Sequence, residues 1–304
     1  MRISRLYDAT WKIQNKAASK LLYKVNKCLV NVLYPRTVKL HYGVDEHSNV
    51  IVSLTSFPDR IQTVWITIAT ILNQTVKPQK VILWLASEQF PQGEAELPQN
   101  LLKFKQYGLT IRFCENLYSH KKYFYAMKEN PESTVITVDD DIFYPEYLIE
   151  RLLEVSRANP GAICCTWAHE LQYDEQGNVK PYSAWKKCVY GSEKPSLQLM
   201  AVGCGGILYP PHMLNEEVFN IEAIQQLCPR TDDIWLKFMA VKQRTPAVRI
   251  PYPQKIFFSQ IRTQSKGLHY ENVGQNKNDI AIHNVLSHYP ECLDILRKDL
   301  LGGR

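Results

Sequence analysis

The 304-residue chain lacks the patterns of several common protein classes. No apolar run approaches the roughly 18 residues of a membrane-spanning helix, and the N-terminus lacks the apolar core of a signal peptide. We therefore expect a cytoplasmic protein, with peripheral contact to the inner face of the cell membrane as one interpretation. Neither GxGxxG nor a GxxxxGKS or GxxxxGKT run occurs, which disfavours a dinucleotide-binding enzyme and a P-loop NTPase.

The cysteines show no pattern either. All eight occur at irregular spacing and none forms a CxxC pair, so neither a zinc knuckle nor a disulfide framework is predicted. Several lie in apolar runs, which is typical of small core residues in a reducing compartment.

Positive charge is concentrated near the N-terminus. The formal net charge is +6, but nine of the 36 Lys and Arg lie in residues 1–40, where Asp8 is the single acid. The rest of the chain is close to neutral. Because nucleic-acid-binding domains carry a broad basic surface, we expect no nucleic-acid partner.

Residues 3–33 show helical periodicity. One side carries a basic row, formed by Lys12, Lys16, Lys20, Lys24 and Lys27. Much of the other side is apolar and comprises Leu6, Ile13, Ala17, Leu21, Val25, Leu29 and Val32. This composition is typical of a helix on an anionic membrane surface. It is equally typical of an amphipathic helix that packs on its own domain with a solvated lysine face. We assign this basic helical arm and a linker to residues 1–45.

Strands and helices alternate in the residues that follow. Strands are predicted at 50–54, 80–85, 109–113 and 135–138, and helices up to residue 72 and at 97–107 and 123–129. The alternation predicts an α/β fold with a Rossmann-like, mostly parallel central sheet flanked by helices. We assign residues 46–304 to this domain, with halves at 46–145 and 146–304.

Three aspartates follow the fourth predicted strand. Asp139, Asp140 and Asp141 lie at its carboxyl end, where open α/β sheets bind ligands. Because side chains alternate in extended backbone, we expect Asp139 and Asp141 to point one way and Asp140 the other. A divalent cation would relieve the repulsion between two buried carboxylates, which indicates a site for a metal and a phosphate. The alternative is a solvated turn that opens a helix at 146–157.

A second acidic pair opens another predicted helix. Asp232 and Asp233 precede apolar residues at 234, 235, 238, 239 and 241. Acids that follow Thr231 at a helix N-terminus favour capping. The functional interpretation is that one of them acts as a general base, because a carboxylate can take the proton of a hydroxyl within hydrogen-bond reach.

Three further segments carry weaker signals. The loop after the first strand gathers Thr55, Ser56 and Arg60, which can hold a nucleotide or simply cap a helix. The glycine-rich run at 203–206 allows close approach of a ligand to the backbone, or a tight bend. The aromatic loop residues Tyr173, Tyr182 and Trp185 suit stacking on sugar faces, or burial as loop anchors.

Six segments together resemble the GT-A class of nucleotide-sugar-dependent glycosyltransferases. They are IVSLTSFPDRI, VILWLASEQFP, Lys121-Lys122, VITVDDDIFYP, GCGGILYPP and TDDIWL, in the order used by such proteins over about residues 49–283. The chain looks most like bacterial family-two-like enzymes of surface polysaccharide or lipopolysaccharide biosynthesis. The resemblance implies inverting transfer of a hexosyl or related group from a nucleoside-diphosphate sugar to a hydroxyl of a glycan or lipid-linked acceptor.

The resemblance also implies individual roles on the donor side. The donor-binding residues would be Thr55, Ser56, Arg60, Lys122, Asp139 and Asp140. Asp141 and Asp139 would hold a divalent cation, Mn or Mg, which suits hard oxygen ligands and neutralises the leaving nucleoside diphosphate.

On the acceptor side the resemblance implies that Asp233 is the catalytic base, with Asp232 as the alternative. His169 and Trp235 would border the acceptor. A late histidine can complete the metal site in such enzymes, but the sequence does not choose among His269, His283 and His288.

Two other functions remain open at this point. A nucleotidyltransferase also combines an α/β sheet with carboxylates, but it needs a glycine-rich basic loop after the first strand, and SLTSFPDR has no glycine and one Arg. A non-catalytic glycan- or nucleotide-binding protein could use the same scaffold. The Asp232-Asp233 pair argues mildly against that alternative.

Overall fold

A seven-stranded sheet forms the centre of the computed structural model, which describes residues 2–37, 43–189, 194–251, 257–261 and 276–302. The strands are β1 Val50–Thr55, β2 Lys80–Ala86, β3 Leu109–Cys114, β4 Thr134–Thr137, β5 Ile142–Phe143, β6 Ile163–Cys165, β7 Ala168–Glu170, β8 Leu199–Ala201, β9 Ile207–Tyr209, β10 Ala247–Arg249 and β11 Phe258–Ser259. The order in the sheet is β10-β6-β9-β4-β1-β2-β3. Neighbours are parallel except at β9, which runs antiparallel to β4 and β6.

Helices flank this sheet. They are α1 Ile3–Trp11, α2 Lys16–Thr37, α3 Val64–Leu72, α4 Gln99–Leu102, α5 Lys121–Glu129, α6 Leu148–Ala158, α7 Ile221–Leu227, α8 Asp232–Lys242, α9 Lys277–His288 and α10 Glu291–Gly302. Among the described residues, none of these helices combines the length and apolarity that crossing a membrane requires. The predicted α/β class with a mostly parallel, helix-flanked central sheet is confirmed.

Two predicted helices differ in length from those observed. The helix predicted at 97–107 is a single α-turn, α4, followed by a 3-10 turn that ends at Gly108, whose φ of 102° only glycine adopts readily. The late helical segment is two helices, α9 and α10, which meet at Tyr289 and Pro290. Proline cannot donate the hydrogen bond that would continue α9, but it is well suited to begin a new helix.

The N-terminal segment is also two helices rather than one. Asn15 separates them, and its side chain accepts hydrogen bonds from the N–H groups of Ala17 and Ala18 as an N-cap of α2. The carboxylate of Glu146 in turn accepts from the N–H groups of Ile3 and Ser4 at the start of α1. Both helices contribute buried residues to the main apolar cluster of the sheet, so this segment shares its core.

Tyr7 fixes α1 to two short strands. Its hydroxyl donates to the carbonyl oxygen of Phe143 at 2.8 Å and accepts from the N–H of Phe258 at 2.5 Å, and its ring stacks on that of Phe258. Replacing Tyr7 by Phe should lower the free energy of unfolding by about 1–3 kcal/mol, because two buried backbone groups lose their partner. Urea unfolding measures this change.

The matched control is Tyr107→Phe, at an exposed tyrosine. It should change the free energy of unfolding by no more than about 0.5 kcal/mol, since surface substitutions have small effects. Equal effects of the two variants would contradict the anchoring role of the Tyr7 hydroxyl.

Candidate active site

The three aspartates form a loop at the carboxyl end of β4, near the middle of the sheet. β4 pairs in parallel with β1, so the loop that follows β1 lies beside the acidic loop. The expectation that Asp139 and Asp141 point away from Asp140 is wrong. The strand ends at Thr137 and the backbone turns at 140–141, so the alternation of an extended strand no longer applies.

Arg60 and Ser56 hold two of the three carboxylates. The guanidinium of Arg60 lies 2.6 Å from Asp140 Oδ1 and 3.3 Å from Asp141 Oδ2. The hydroxyl of Ser56 donates to Asp140 Oδ2 at 2.6 Å. Burial raises the pKa of Asp140, although the charge of Arg60 and the hydrogen bond from Ser56 oppose the shift. The loop after β1 therefore presents its polar groups to the acidic loop, as its position at the strand end predicts.

Lys122 joins the two acidic segments. Its ammonium, near the start of α5, lies 2.9 Å from Asp139 Oδ1 and 2.9 Å from Asp232 Oδ2, and the side chain is buried. Burial alone would lower the pKa of Lys122, but the charges of Asp139 and Asp232 outweigh burial and raise it well above its ordinary value. Lys122 is therefore a fixed positive charge between segments that are about ninety residues apart in sequence.

Asp232 and Asp233 have different surroundings in the first turn of α8. Burial would raise the pKa of Asp232, but Lys122 and His120 lower it below its ordinary value. Burial and the charge of Asp232 raise the pKa of Asp233 to about 7. Two neighbouring carboxyls with separated pKa values can take different roles, one a permanent anion and the other a group that exchanges a proton near neutral pH.

The glycine-rich run lies against Asp233 and Lys122. The N–H of Gly203 donates to both carboxylate oxygens of Asp233, at 3.2 Å each. A β-carbon at this position would lie 3.0 Å from Asp233 Oδ1 and 3.1 Å from Lys122 Nζ. At Gly205 a β-carbon would lie only 1.8 Å from Thr166 Oγ1. Glycine therefore allows the backbone to approach the charged groups at Gly203, and at Gly205 it avoids a collision with Thr166.

Tyr144 is a positioning residue that the sequence did not single out. Its hydroxyl accepts from the N–H of Asp139 at 2.9 Å and donates to the carbonyl oxygen of Cys204 at 3.0 Å. It therefore ties the acidic loop to the glycine-rich run. The only signal in the sequence is its place inside VITVDDDIFYP, five residues after Asp139.

Both residues predicted to border an acceptor are buried. Trp235 is fully buried, and its indole N–H donates to the carbonyl oxygen of Val218, so its side chain has no surface open to an acceptor. Residues 234–241 of α8 are all buried, so Trp235 belongs to a helix that is enclosed on every side. His169 is also buried, accepts from the N–H of Cys188, and has its pKa lowered to about 4 by burial.

Tyr182 is an aromatic loop residue whose pKa is affected by burial and by the charge of Asp233. Burial, and after it the charge of Asp233, raise the pKa of Tyr182. Lys187 lies over its ring, 3.0 Å from the centroid, and His169 packs beside it. Trp185, in contrast, is a buried anchor whose indole N–H donates to the carbonyl oxygen of Lys180.

Asp139 and Asp141 match a divalent cation in ligand type but supply only part of a coordination shell. Carboxylate oxygens are the ligands that Mn and Mg prefer, yet these two carboxylates already contact Lys122 and Arg60. No group of three His, Cys, Asp or Glu side chains in the described ranges could hold a metal. His283 and His288 are exposed on α9, and His269 lies outside the described residues. Oxygens from outside these two side chains, such as those of water or of a bound phosphate, would have to complete the shell.

The remaining predicted donor residue, Thr55, donates its hydroxyl to the carbonyl oxygen of Trp84 in β2 at 2.8 Å. A cavity of about 380 Å³ lies elsewhere. It opens at the other end of β4, beside Val135, Pro211 and Phe219, and none of the predicted site residues lines it.

No family model matches the chain, and no curated protein matches it in sequence. Among solved structures it is similar to the mannosyltransferase PcManGT from Pyrobaculum calidifontis in complex with GDP-Man and Mn2+, at 11% identity and a TM-score of 0.44, over 99% of this chain and 86% of that one. It is similar to S. aureus TarS 1-349 at 12% identity and a TM-score of 0.42, over 68% of this chain, and spans 59% of that one.

It is also similar to a 4-diphosphocytidyl-2C-methyl-D-erythritol synthase at 11% identity and a TM-score of 0.41, over 72% of this chain and 94% of that one. At such identities and TM-scores the similarity does not distinguish one activity from another. The function is therefore inferred from the residues of the chain.

Proposed function

We propose that the chain is a GT-A glycosyltransferase that moves a sugar from a nucleoside-diphosphate sugar to a hydroxyl of a glycan or lipid-linked acceptor, in polysaccharide or lipopolysaccharide biosynthesis. The observation that supports this proposal is the position of Lys122, 2.9 Å from both Asp139 and Asp232. Through Lys122 the acidic loop and the acidic pair of α8 lie close together, and the loop lies at the carboxyl ends of parallel strands, where such folds bind ligands.

The donor side of the proposed site combines fixed positive charge with carboxylates. Arg60 and Lys122 are held in place by the aspartates, so they attract a diphosphate without losing side-chain freedom when it binds. Thr55 and Ser56 lie at the end of β1, where we propose that the nucleoside binds. When bound by Asp139 and Asp141, a Mn or Mg ion would neutralise the leaving nucleoside diphosphate.

The acceptor side depends on Asp233. With a pKa of about 7 it is partly ionised at neutral pH and can take the proton of an acceptor hydroxyl. In the inverting transfer that we propose, this hydroxyl attacks the anomeric carbon on the face opposite the leaving group. Asp232 stays ionised and holds Lys122, so it positions the site rather than exchanging the proton.

We also propose a cytoplasmic location at the inner face of the cell membrane, in contact with an anionic surface through residues 1–40. The basic composition of these residues supports it. The face of the chain that would make this contact is treated below.

A thermal-shift screen with UDP, GDP, CDP and ADP, each with and without Mn, tests the donor site. One nucleotide should raise the melting temperature by roughly 5 °C at saturating concentration. The part of this rise that requires Mn should disappear in Asp141→Asn, because the variant loses a charged oxygen ligand.

Asp294→Asn, at an exposed aspartate of α10, is the control and should keep the full shift. Two results would contradict the proposal. One is the absence of a response to any nucleoside diphosphate. The other is a selective response when the corresponding nucleoside triphosphates are screened in the same way, together with release of pyrophosphate in a separate assay, which is the behaviour of a nucleotidyltransferase.

A further inference from the structure

Helix α2 exposes an apolar stripe. The side chains of Leu21, Val25, Leu29 and Val32 are 66%, 46%, 41% and 46% exposed. Their spacing of four, four and three residues places them on one face of the helix. A helix on a soluble domain normally turns such a stripe toward the core, so its exposure indicates a surface that another structure covers.

Polar contacts on another face hold α2 in this orientation. The ammonium of Lys27 donates to Ser259 Oγ at 2.7 Å, the amide of Asn31 donates to the carbonyl oxygen of Ser259 at 3.1 Å, and Tyr23 donates to that of Phe257 at 3.1 Å. Val30 and Tyr34 of α2 are also fully buried. The helix therefore packs through a face other than the apolar one, and turning the stripe inward would break these bonds.

Exposed lysines on one flank of the stripe indicate the partner. At about 100° per residue, Lys24 and then Lys20 follow the edge of the stripe, whereas Lys16 lies on the opposite side, and the sequence of α2 contains no acidic residue. A second copy that covered the stripe with its own α2 would therefore offer these lysines no carboxylate. An anionic lipid bilayer satisfies both features, because its acyl boundary accepts the apolar side chains and its headgroups attract the lysines.

We propose that α2 lies flat on an anionic bilayer through Leu21, Val25, Leu29 and Val32, with Lys20 and Lys24 at the headgroups. This face differs from the sequence expectation, in which the helix either met the membrane or packed on the domain. In the arrangement that we propose, one face of α2 packs on the domain and another face meets the membrane.

The docked helix would lie close to the acidic loop. α2 contacts β11 through Ser259. β11 pairs with β5, which directly follows the acidic loop. The N–H of Gln260, next to β11, donates to the carbonyl oxygen of Asp141 at 2.8 Å. This consequence rests on the proposed function: an acidic loop separated from the bilayer by β11 and α2 suits an acceptor that is linked to a lipid and presented at its surface.

Flotation of the full chain with vesicles tests the docking. Vesicles of phosphatidylcholine with about 30% phosphatidylglycerol should carry the protein, and vesicles of phosphatidylcholine alone should carry much less. Lys16→Gln/Lys20→Gln/Lys24→Gln should weaken binding on the order of a hundredfold. Leu21→Ser/Val25→Ser/Leu29→Ser should weaken it by about tenfold or more.

Matched controls carry the same changes on other exposed residues. They are Lys128→Gln/Lys180→Gln/Lys298→Gln and Ile280→Ser/Leu301→Ser, and both should float like the unchanged protein. All variants should keep the nucleotide-induced thermal shift, which separates failure of docking from failure of the proposed transferase function.

Three results would overturn the proposal. The first is that the unchanged protein does not float on anionic vesicles. The second is that the control variants lose as much binding as the α2 variants. The third is that the apolar α2 variant loses self-association in sedimentation velocity while its flotation is unchanged. The last result would assign the stripe to a second copy of the chain.

Discussion

Asp233→Asn should lower the rate of sugar transfer by about 10²- to 10⁴-fold, the usual contribution of a general base. The amide keeps the size of the side chain but cannot accept the proton of the acceptor hydroxyl. Because the donor residues are unchanged, the variant should still give the nucleotide-induced thermal shift. The measurement is the transfer rate of the variant and the unchanged protein with the donor that the nucleotide screen identifies.

The pKa of Asp233 adds a pH dependence to this prediction. Transfer by the unchanged protein should rise with pH through about 7, as the carboxyl loses its proton. The stability of the fold should change in the opposite direction, because the contribution of Asp233 falls as the pH rises. A carboxyl whose pKa is raised from 3.8 to about 7 by folding stabilises the fold below its unfolded pKa, and this contribution is lost as the pH rises through about 7.

Asp233→Asn has no ionisable group at this position, so it does not lose stability in this way as the pH rises. The melting temperature of the variant minus that of the unchanged protein should therefore be larger at pH 8 than at pH 5. Asp232→Asn is the matched comparison, since it removes the anion that contacts Lys122. It should lower the melting temperature at pH 8. A normal transfer rate in Asp233→Asn, together with loss of transfer in a folded Asp232→Asn, would reverse the two assigned roles.

Lys122→Met should reduce the free energy of unfolding at pH 7 by about 3–5 kcal/mol, because removing one partner of a buried ion pair leaves the other charge uncompensated. In this protein two carboxylates, Asp139 and Asp232, lose the same ammonium. Methionine retains the length of the aliphatic side chain, so the change is mainly one of charge. Guanidinium unfolding followed by circular dichroism measures the loss.

Lys105→Met is the control for this variant. Lys105 also contacts a carboxylate, that of Glu94 at 2.7 Å, but the two side chains are 46% and 43% exposed. Removing an exposed pair should cost less than about 1 kcal/mol. In the background of Asp232→Asn, the effect of Lys122→Met should become smaller, since part of the lost pairing is already gone. Equal losses in the two lysine variants would contradict a buried, central Lys122.

Local patterns in the sequence were sufficient for the elements that carry the site. The four short apolar runs became β1 to β4, and the acidic loop and the acidic pair lie at the strand end and helix start that their flanking residues indicate. These features depend on neighbouring residues in the chain, so periodicity and end signals identify them. The alternation of the three aspartates failed because a turn replaces the strand after Thr137.

The tertiary structure alone decided which charges meet and which faces are exposed. Lys122 contacts both Asp139 and Asp232, Trp235 is buried rather than open to an acceptor, and the apolar stripe of α2 faces outward. Each of these results depends on residues far away in sequence, and a helical or strand period specifies only that two faces differ, not what each face contacts. The sequence therefore predicts the type and order of the main strands and helices. The contacts of Lys122 with the two acidic segments and the exposure of the α2 stripe follow from tertiary packing.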